Sequence, residues 1–260
     1  MMDDKTRKKI EIMRRAGVML GEVLGEVLGA VKPGITEIEL DRLAERLILE
    51  KGGEVSFKKV DGYQNTICVS TNNVVVHGIP KERVLKEGDI IGIDCGVYLE
   101  GYHTDMAETI IVGGTTDEKI KQFLRVGKKA MYNAISEAKA GHRVGHVSRE
   151  MQEAIEGGGY SVVRSLVGHG VGKELHEAPE VPGYLEREIR KTPILEPGMT
   201  IAVEAIYNLG GFGVKYDGSD DWTIVSEDGS LAGLFERTIL ISENGPELIT
   251  FFPGEIIPQA

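Results

Sequence analysis

The feature that most constrains the fold is an internal repeat, which is visible within this one sequence. LKEGDIIGID at 85–94 aligns with LEPGMTIAVE at 195–204, and the two segments share a leucine, a glycine and an isoleucine at matching positions. Each segment ends on a carboxylate, at Asp94 and Glu204, within a run of strand-forming residues where a charge is costly to bury. A chance similarity between two amphipathic segments is the alternative reading of this alignment.

A second acid in each copy extends the repeat downstream. Asp105 precedes a TIIV run and Glu236 precedes an RTILI run, so each copy offers two carboxylates at corresponding positions on strands. The repeat therefore predicts two pseudo-symmetric halves, at about 1–115 and 116–260, within residues 1–260, a length that allows one large domain or two modest ones. We expect the four acids to converge where the halves meet, which is a natural place for a site.

Hydrophobic periodicity places two helices before the strands of each half. The predicted helices are 5–31, Thr36 to Lys51 with a capping box from Thr36 to Glu39, Thr116 to Lys139, and about 145–156. Residues 66–76 are predicted to form a strand hairpin that turns at Asn72-Asn73 and delivers His77 at its end.

Asp94 and Asp105 lie within a second predicted hairpin. Its strands are Ile90–Val97 and Met106–Val112, and the chain can turn at Leu99-Glu100-Gly101. The two aspartates are expected to lie roughly opposite each other. Facing carboxylates on half-buried strands repel unless a cation or a shared proton offsets the cost. Two unrelated aspartates that are solvated or cap turns remain the alternative.

A histidine in a Gly-rich turn adds a possible nitrogen ligand. His169 lies in LVGHGVGKELHE at 166–177, and His176 follows it in the same stretch. Taken alone, such a histidine is more often a structural hydrogen-bonding group than a ligand. Beside four carboxylates it favours a metal site, and four carboxylates need two divalent ions for neutrality. Oxygen-rich ligation with one imidazole suits Mn, Fe(II) or Co and tolerates Zn, and a paired metal site favours hydrolysis.

Composition excludes several classes of protein. The net charge of −11 argues against a general nucleic-acid-binding surface. The cysteines Cys68 and Cys95 form no CxxC pair, so neither a disulfide framework nor a cysteine zinc site is expected. The charged N-terminus lacks the apolar region of a signal peptide, and no long apolar run suggests a membrane span. A cytoplasmic protein is therefore expected.

The acids, the histidines and the motifs around them resemble the methionine aminopeptidases of type I, over nearly the whole chain. The matching features are HGIP at 77–80, GHGVG followed by HE at 168–177, and the five ligands Asp94, Asp105, His169, Glu204 and Glu236. The resemblance implies a single catalytic domain with the pita-bread fold, an α+β arrangement in which helices cover the outer face of a pseudo-two-fold antiparallel sheet. It also implies two divalent metal ions and removal of the N-terminal methionine by a hydroxide held between them.

The resemblance further implies a role for each residue of the site. Asp94 would hold one metal and His169 the other, and Asp105 and Glu236 would bridge them. Glu204 would bind a metal and shuttle the proton of the attacking water. Two further histidines, His77 and His176, would position the scissile amide and stabilise the tetrahedral intermediate.

The substrate pocket also follows from the resemblance. Tyr63, Cys68 and Trp222 match the positions that form the methionine pocket, where sulfur and aromatic groups favour a thioether. The chain departs from the family pattern at four positions, where altered pocket shape rather than lost chemistry is expected: Phe57, Leu175, Ala205 and Arg237. The expected partners are N-terminal Met peptides and nascent chains, with a possible ribosome contact, for a protein expected to be a monomer.

Three rival classes are open to comparison. Prolidases and X-Pro aminopeptidases resemble the same site but usually carry an N-terminal domain, for which the segment before His77 is expected to be too short. Type II methionine aminopeptidases have a long insertion between the last two ligands, whereas Glu204 and Glu236 are close in sequence. A non-catalytic pita-bread peptide-binding module would have lost ligands that this chain retains.

Overall fold

The computed structural model describes residues 3–115 and 117–256. Its helices, numbered along the chain, are α1 Asp4–Ala30, α2 Glu37–Glu50, α3 Glu118–Ser136 and α4 Val144–Gly157. Its strands are β1 Glu54–Val55, β2 Ile67–Thr71, β3 Val74–Val76, β4 Ile90–Leu99, β5 Tyr102–Ile111, β6 Ser161–Val162, β7 Val167–Gly170, β8 Glu177–Pro182, β9 Thr200–Asn208, β10 Val214–Tyr216, β11 Ile224–Ser226, β12 Ala232–Ser242 and β13 Gly245–Leu248. Short 3₁₀ turns occupy Phe57–Lys59 and Ile189–Lys191.

Local sequence signals account for the starts of the first two helices. Thr36 caps α2 through a complete capping box, in which Glu39 accepts from the Thr36 backbone N–H at 2.8 Å. Asp3 caps α1 by accepting from the backbone N–H of Thr6 at 2.7 Å. The four predicted helices are confirmed to within a few residues, although the predicted start of the third, Thr116, lies outside the described residues.

Antiparallel pairing joins the strands into two sheets. Within the described ranges, the larger sheet has ten strands in the order β1-β4-β5-β12-β9-β7-β8, with β2 on β4, β6 on β9 and β13 on β12. The smaller sheet pairs β10, β11 and β3. The β4–β5 hairpin turns through Glu100 and Gly101, whose φ values of 47° and 94° suit a tight two-residue turn. This hairpin is confirmed where the sequence predicted it.

Two details of strand pairing differ from the predictions. Asp94 lies opposite Ala107, and Asp105 lies opposite Gly96, so the aspartates are diagonal neighbours on one face rather than opposite each other. The predicted hairpin at 66–76 also separates, because β2 pairs with β4 whereas β3 pairs with β11. The first difference follows from the two-residue turn at Glu100 and Gly101, which sets the register of the hairpin. The second depends on a long-range partner that local sequence does not specify.

The helices cover one face of the larger sheet and leave the other face free for a cavity. Leu20, Leu24 and Leu40 of α1 and α2 are completely buried on the first half of the sheet. In the second half, Phe123 of α3 packs with Tyr207 of β9 in the core. Because side chains alternate along a strand, the intervening residues face the opposite side. No helix in the described parts of the chain is both long and apolar enough to cross a lipid bilayer.

Candidate metal centre

One cavity of about 280 Å³ opens on the face of the sheet away from the helices. Its wall combines acidic, imidazole, aromatic and sulfur groups. All ten site residues predicted from the sequence line it: Tyr63, Cys68, His77, Asp94, Asp105, His169, His176, Glu204, Trp222 and Glu236. Their individual roles remain predictions at this point.

The four acids come from the central strands of the sheet. Glu236 of β12 lies opposite Glu204 of β9 on one side, and opposite Ala107 of β5 on the other. Ala107 also pairs with Asp94 of β4, and Asp105 is two residues before it on the same face. Strand alternation therefore aims all four carboxylates into one space, which a local sequence pattern alone could not guarantee.

His169 completes the donor set from β7. Its Nδ1 lies 2.9 Å from the carbonyl oxygen of Gly170, which can only accept, so Nδ1 carries the proton. Nε2 then presents a lone pair to the acids, at 3.4 Å from Glu204 and 3.9 Å from Asp105. Ligand atoms of Asp105, His169 and Glu236 all lie within 4.8 Å of one another. A histidine oriented by a backbone carbonyl in this way is typical of a metal ligand.

The electrostatics of the acids fit a bound cation. Among the described residues, Asp94 Oδ1 and Glu236 Oε1 are buried without a hydrogen-bond partner, an arrangement that suits metal ligands. Burial raises the pKa of Asp105 to about 7. Burial and the neighbouring carboxylates raise the pKa values of Asp94, Glu204 and Glu236 well above their ordinary range. Divalent cations would offset both the cost of burial and the repulsion between the carboxylates, so the four acids fit the expected divalent metal ions.

Two threonines hold the backbone of Asp105, and sequence reasoning did not identify them. The Thr238 hydroxyl accepts from the Asp105 N–H at 3.0 Å and donates to the Asp105 carbonyl at 2.9 Å. Thr250 also donates to that carbonyl, at 3.2 Å, and its hydroxyl accepts from the backbone N–H of Thr238. Only the position of Thr238, on the same strand face as Glu236, could have suggested its role.

The two other cavity histidines flank the acids on separate loops. His77 directly follows β3 with a φ of 56°, a strained conformation that is enriched at functional sites. The next residue must be glycine, because a Cβ on Gly78 would lie 2.0 Å from the carbonyl oxygen of Val69. The His176 ring meets the His169 ring edge to face at 4.4 Å.

These imidazoles are neutral near pH 7. Burial, reinforced by the charge of His176, lowers the pKa values of His77 and His169 to about 4. Burial also lowers the pKa of His176. A neutral imidazole has one N–H to donate, so His77 and His176 can each donate one hydrogen bond to a bound carbonyl or amide.

The apolar end of the cavity contains the predicted pocket residues. The Tyr63 hydroxyl donates to the Ile67 carbonyl at 2.8 Å, and the Cys68 thiol lies 3.1 Å from that hydroxyl. Trp222 packs edge to face on Tyr63 with ring centroids 5.1 Å apart. Burial raises the pKa of the Cys68 thiol well above its ordinary value, so Cys68 is a small sulfur surface rather than a nucleophile.

The four departures from the family pattern divide by location. Phe57 and Leu175 line the cavity, where altered pocket shape was expected. Ala205 and Arg237 instead lie next to Glu204 and Glu236 on their strands, with side chains on the helix-facing side of the sheet. For these two residues the expectation of a reshaped pocket is wrong.

Arg237 organises a buried ion network behind the acids. Its guanidinium is completely buried and lies 2.7 Å from Glu108 and 2.6 Å from Glu255. Lys128 contacts the other oxygen of Glu108 at 2.6 Å, so two cations face two carboxylates. The guanidinium also donates to the carbonyl of Glu236 at 2.8 Å. The network therefore joins both central strands to the C-terminal segment.

Fold and cavity together are those of a metal-dependent hydrolase. A model of metallopeptidase family M24 matches residues 11–242, and the chain belongs to this family. Methionine aminopeptidase of Clostridium acetobutylicum is 45% identical over 247 residues, which cover 95% of this chain and 97% of that protein. Methionine aminopeptidase 1 of Bacillus subtilis is 44% identical over 246 residues, which cover 95% of this chain and 98% of that protein.

Solved structures place the fold in the pita-bread class. The crystal structure of a methionine aminopeptidase from Thermotoga maritima matches with a TM-score of 0.91 and 41% identity, over 96% of this chain and 99% of that one. The prolidase from Pyrococcus furiosus matches with a TM-score of 0.74 and 23% identity, and 64% of its length is covered. That second likeness concerns the fold alone. The predicted α+β pita-bread fold, with helices on the outer face of an antiparallel sheet, is confirmed.

Proposed function

We propose that this chain is a metal-dependent aminopeptidase that removes the N-terminal methionine from peptides and nascent proteins. The strongest support is similarity to methionine aminopeptidases over nearly the full length of both chains. A cavity with five potential metal ligands at one end and a sulfur-lined aromatic pocket at the other fits the same reaction.

Two divalent ions are proposed for the site, with Asp94, Asp105, His169, Glu204 and Glu236 as ligands. Four carboxylates require two such ions for neutrality, and His169 is held neutral with its lone pair on Nε2. Co, Mn, Fe(II) and Zn are all compatible with this oxygen-rich donor set. Bound ions would polarise the scissile carbonyl and lower the pKa of the attacking water.

The chain's own residues move the protons and orient the substrate. Glu204 takes a proton from the attacking water and returns it to the leaving amine, which completes hydrolysis. His77 and His176, both neutral, donate N–H groups to the scissile amide and to the charge that develops on its oxygen. The free amine of the substrate lies near Asp94, which restricts cleavage to N-terminal residues.

The substrate's first side chain is proposed to enter between Tyr63, Cys68 and Trp222. A thioether fits this wall because polarizable sulfur contacts aromatic rings favourably. Phe57 and Leu175 narrow the same region. We further propose that the two halves, about 1–115 and 116–260, form one domain, and that it acts as a monomer in the cytoplasm near the ribosome. The acidic composition gives the ribosome contact no independent support.

Add-back of metal to chelator-stripped protein tests the activity directly. The substrates are Met-Ala-Ser and Ala-Pro-Ala peptides, and the ions are Mn, Fe(II), Co or Zn, each added separately. We expect release of the first residue from the Met peptide alone, and only with metal present. Cleavage of the proline peptide alone would overturn the specificity and favour an X-Pro peptidase. Cleavage of neither peptide with any ion would favour a non-catalytic binding module.

His77→Ala is expected to lower kcat by about a hundredfold while bound metal is unchanged, because His77 donates to the reacting amide and not to a metal. The companion His77→Asn tolerates the left-handed backbone at this position, so it separates lost chemistry from backbone strain. His142→Ala, at a histidine in the loop between α3 and α4, is the control. Loss of metal in both His77 variants would contradict the assigned role.

A further inference from the structure

The smaller sheet brings two residues of the cavity wall, His77 and Trp222, to the same end of its strands. β3 ends at Val76, directly before His77, and β11 begins at Ile224, shortly after Trp222. Val76 and Ile224 are paired in this sheet. His77, proposed to orient the scissile amide, and Trp222, proposed to contact the first side chain, therefore lie at the same end of two neighbouring strands.

Asp220 organises the turn that carries Trp222. One of its carboxylate oxygens accepts from the backbone N–H groups of Trp222 at 3.0 Å and Thr223 at 2.6 Å. The other oxygen accepts from the Thr223 hydroxyl at 2.8 Å. A carboxylate with this many donors is held in its charged form, and its pKa lies well below the ordinary value.

Lys81 ties this turn to the segment that follows His77. Its ammonium lies 3.2 Å from Asp220 and donates to the Ser219 hydroxyl at 2.8 Å. The backbone N–H of Lys81 donates to the buried carboxylate of Glu37 at 3.2 Å, which anchors the segment to α2. A second link runs from the Ile79 N–H to the Thr223 hydroxyl at 3.3 Å. The turn is thus attached to a fixed part of the fold.

The position of Trp222 depends on these ties because much of its own loop is exposed. Residues 215–219 and Asp221 are exposed, whereas Thr223 is buried. On its cavity side Trp222 meets the ring of Tyr63 edge to face. An indole held from one side by an edge contact needs a fixed backbone to keep a constant pocket shape.

We propose that Lys81 and Asp220 form a latch that holds Trp222 against Tyr63 and fixes its position relative to His77. Both are positioning residues for recognition of the substrate's first side chain, a role that rests on the proposed function. The latch lies outside the metal ligands and does not touch the reacting atoms. Its loss should therefore weaken binding and selectivity more than turnover.

The indole itself reports on the latch, because Trp222 is the only tryptophan in the chain. Acrylamide quenching of its fluorescence can be measured in metal-free protein without any substrate. Lys81→Met and Asp220→Ala are expected to raise the quenching constant about twofold, since truncation of a charged hydrogen-bond partner frees the turn. Asp221→Asn, at the exposed neighbour, is the matched control and should match the wild type. Unchanged quenching in both latch variants would overturn the proposal.

Graded variants separate the link to Lys81 from the turn itself. Asp220→Asn keeps one oxygen for the backbone N–H groups but loses the charge that Lys81 contacts. Because the Lys81 side chain is 45% exposed, solvent screening limits the contribution of the pair. We expect quenching to follow the order wild type, Asp220→Asn, Asp220→Ala. A larger effect for the asparagine than for the alanine would overturn the proposed arrangement.

Kinetics with metal-loaded protein test the role in recognition. Lys81→Met should raise KM for Met-Ala-Ser about threefold with little change in kcat, as expected from a partly screened ion pair. Asp220→Ala should raise KM about tenfold and reduce the preference for Met over Leu peptides. Increased quenching with unchanged KM and selectivity would overturn the recognition role. If the wild type releases no methionine, the proposed function fails, while the quenching experiment still decides whether the latch exists.

Discussion

Asp105→Asn is expected to abolish methionine release while the protein remains folded. The carboxylate faces the three other acids, and its backbone is held by Thr238 and Thr250. The bond that its Oδ1 accepts from the Met106 N–H, at 3.1 Å, can be kept by the asparagine oxygen. A neutral amide at a proposed bridging position removes one charge from the donor set. The expected loss is about a thousandfold or more in kcat, because the electrostatic stabilisation of the transition state is lost with it.

Metal content and unfolding should distinguish this loss from misfolding. We expect Asp105→Asn to bind less than the wild-type amount of metal, and to unfold in its metal-free form no more easily than the metal-free wild type. That stability follows because the substitution removes one of four mutually repelling buried carboxylates. Asp89→Asn, at an aspartate just before β4 and outside the cavity, is the matched control and should retain activity. Near-normal turnover in Asp105→Asn would contradict the two-metal site.

Much of the fold could be predicted because the signals are local. The capping box from Thr36 to Glu39 fixes the start of α2, and both groups lie within one turn of helix. The turn at Glu100 and Gly101 combines two left-handed residues between strand-forming runs, which defines the β4–β5 hairpin. These features depend on neighbours in sequence, so one sequence is enough to reveal them.

Strand partners were harder to predict because they depend on distant segments. β3 has the composition of a hairpin partner for β2, yet it pairs with β11, far away in the chain. The register between Asp94 and Asp105 differs from the prediction for a local reason. A turn sets the register of a hairpin, and its two-residue form places Asp105 opposite Gly96. Local composition does not distinguish these alternatives.

The candidate site shows the same difference between features that the sequence reveals and contacts that depend on the assembled fold. Family motifs identified the ten residues that line the cavity, because motifs preserve residue type and order. They did not identify the groups that support the cavity from behind or beside it. Thr238 contacts Asp105, Arg237 contacts Glu255, and Asp220 contacts Lys81. Each partner lies in another segment of the chain. Such contacts become visible only once the strands are assembled.

Metal removal should make stability depend on pH in a diagnostic window. In the folded, metal-free protein Asp105 keeps its proton up to a pKa of about 7, against 3.8 for an ordinary aspartate. The folded state therefore binds more protons than the unfolded state between these values, and the free energy of unfolding falls as pH rises through them. For Asp105 alone the loss over the whole interval is on the order of 4 kcal/mol, most of it below pH 6.5, and it is complete once pH exceeds the folded pKa.

The histidines restrict the pH range in which this fall in the free energy of unfolding can be measured. His77, His103 and His169 have folded pKa values of about 4, below the ordinary value of 6.5. Their unfolded forms take up protons between these values, so they stabilise the fold as pH rises to 6.5 and add nothing further above it. Above 6.5 the acids dominate. Burial raises the pKa values of both cysteines well above their ordinary 9.0, so we set the upper limit near pH 8, where thiol ionisation in the unfolded chain is still small.

Thermal unfolding of chelator-treated protein from about pH 6.5 to about pH 8 checks this expectation. The midpoint of the metal-free protein should fall across the window, because carboxyl groups with raised pKa values still hold protons in the folded state that the unfolded chain has already lost. The metal-loaded protein should not show this fall, since bound cations favour deprotonated ligands and bind more tightly as pH rises. The stabilisation by metal should therefore grow with pH, by several kcal/mol with ions in excess. Asp105→Asn should reduce the slope of the metal-free curve. A flat wild-type curve would show that burial and the neighbouring charges do not raise the pKa values of these four acids.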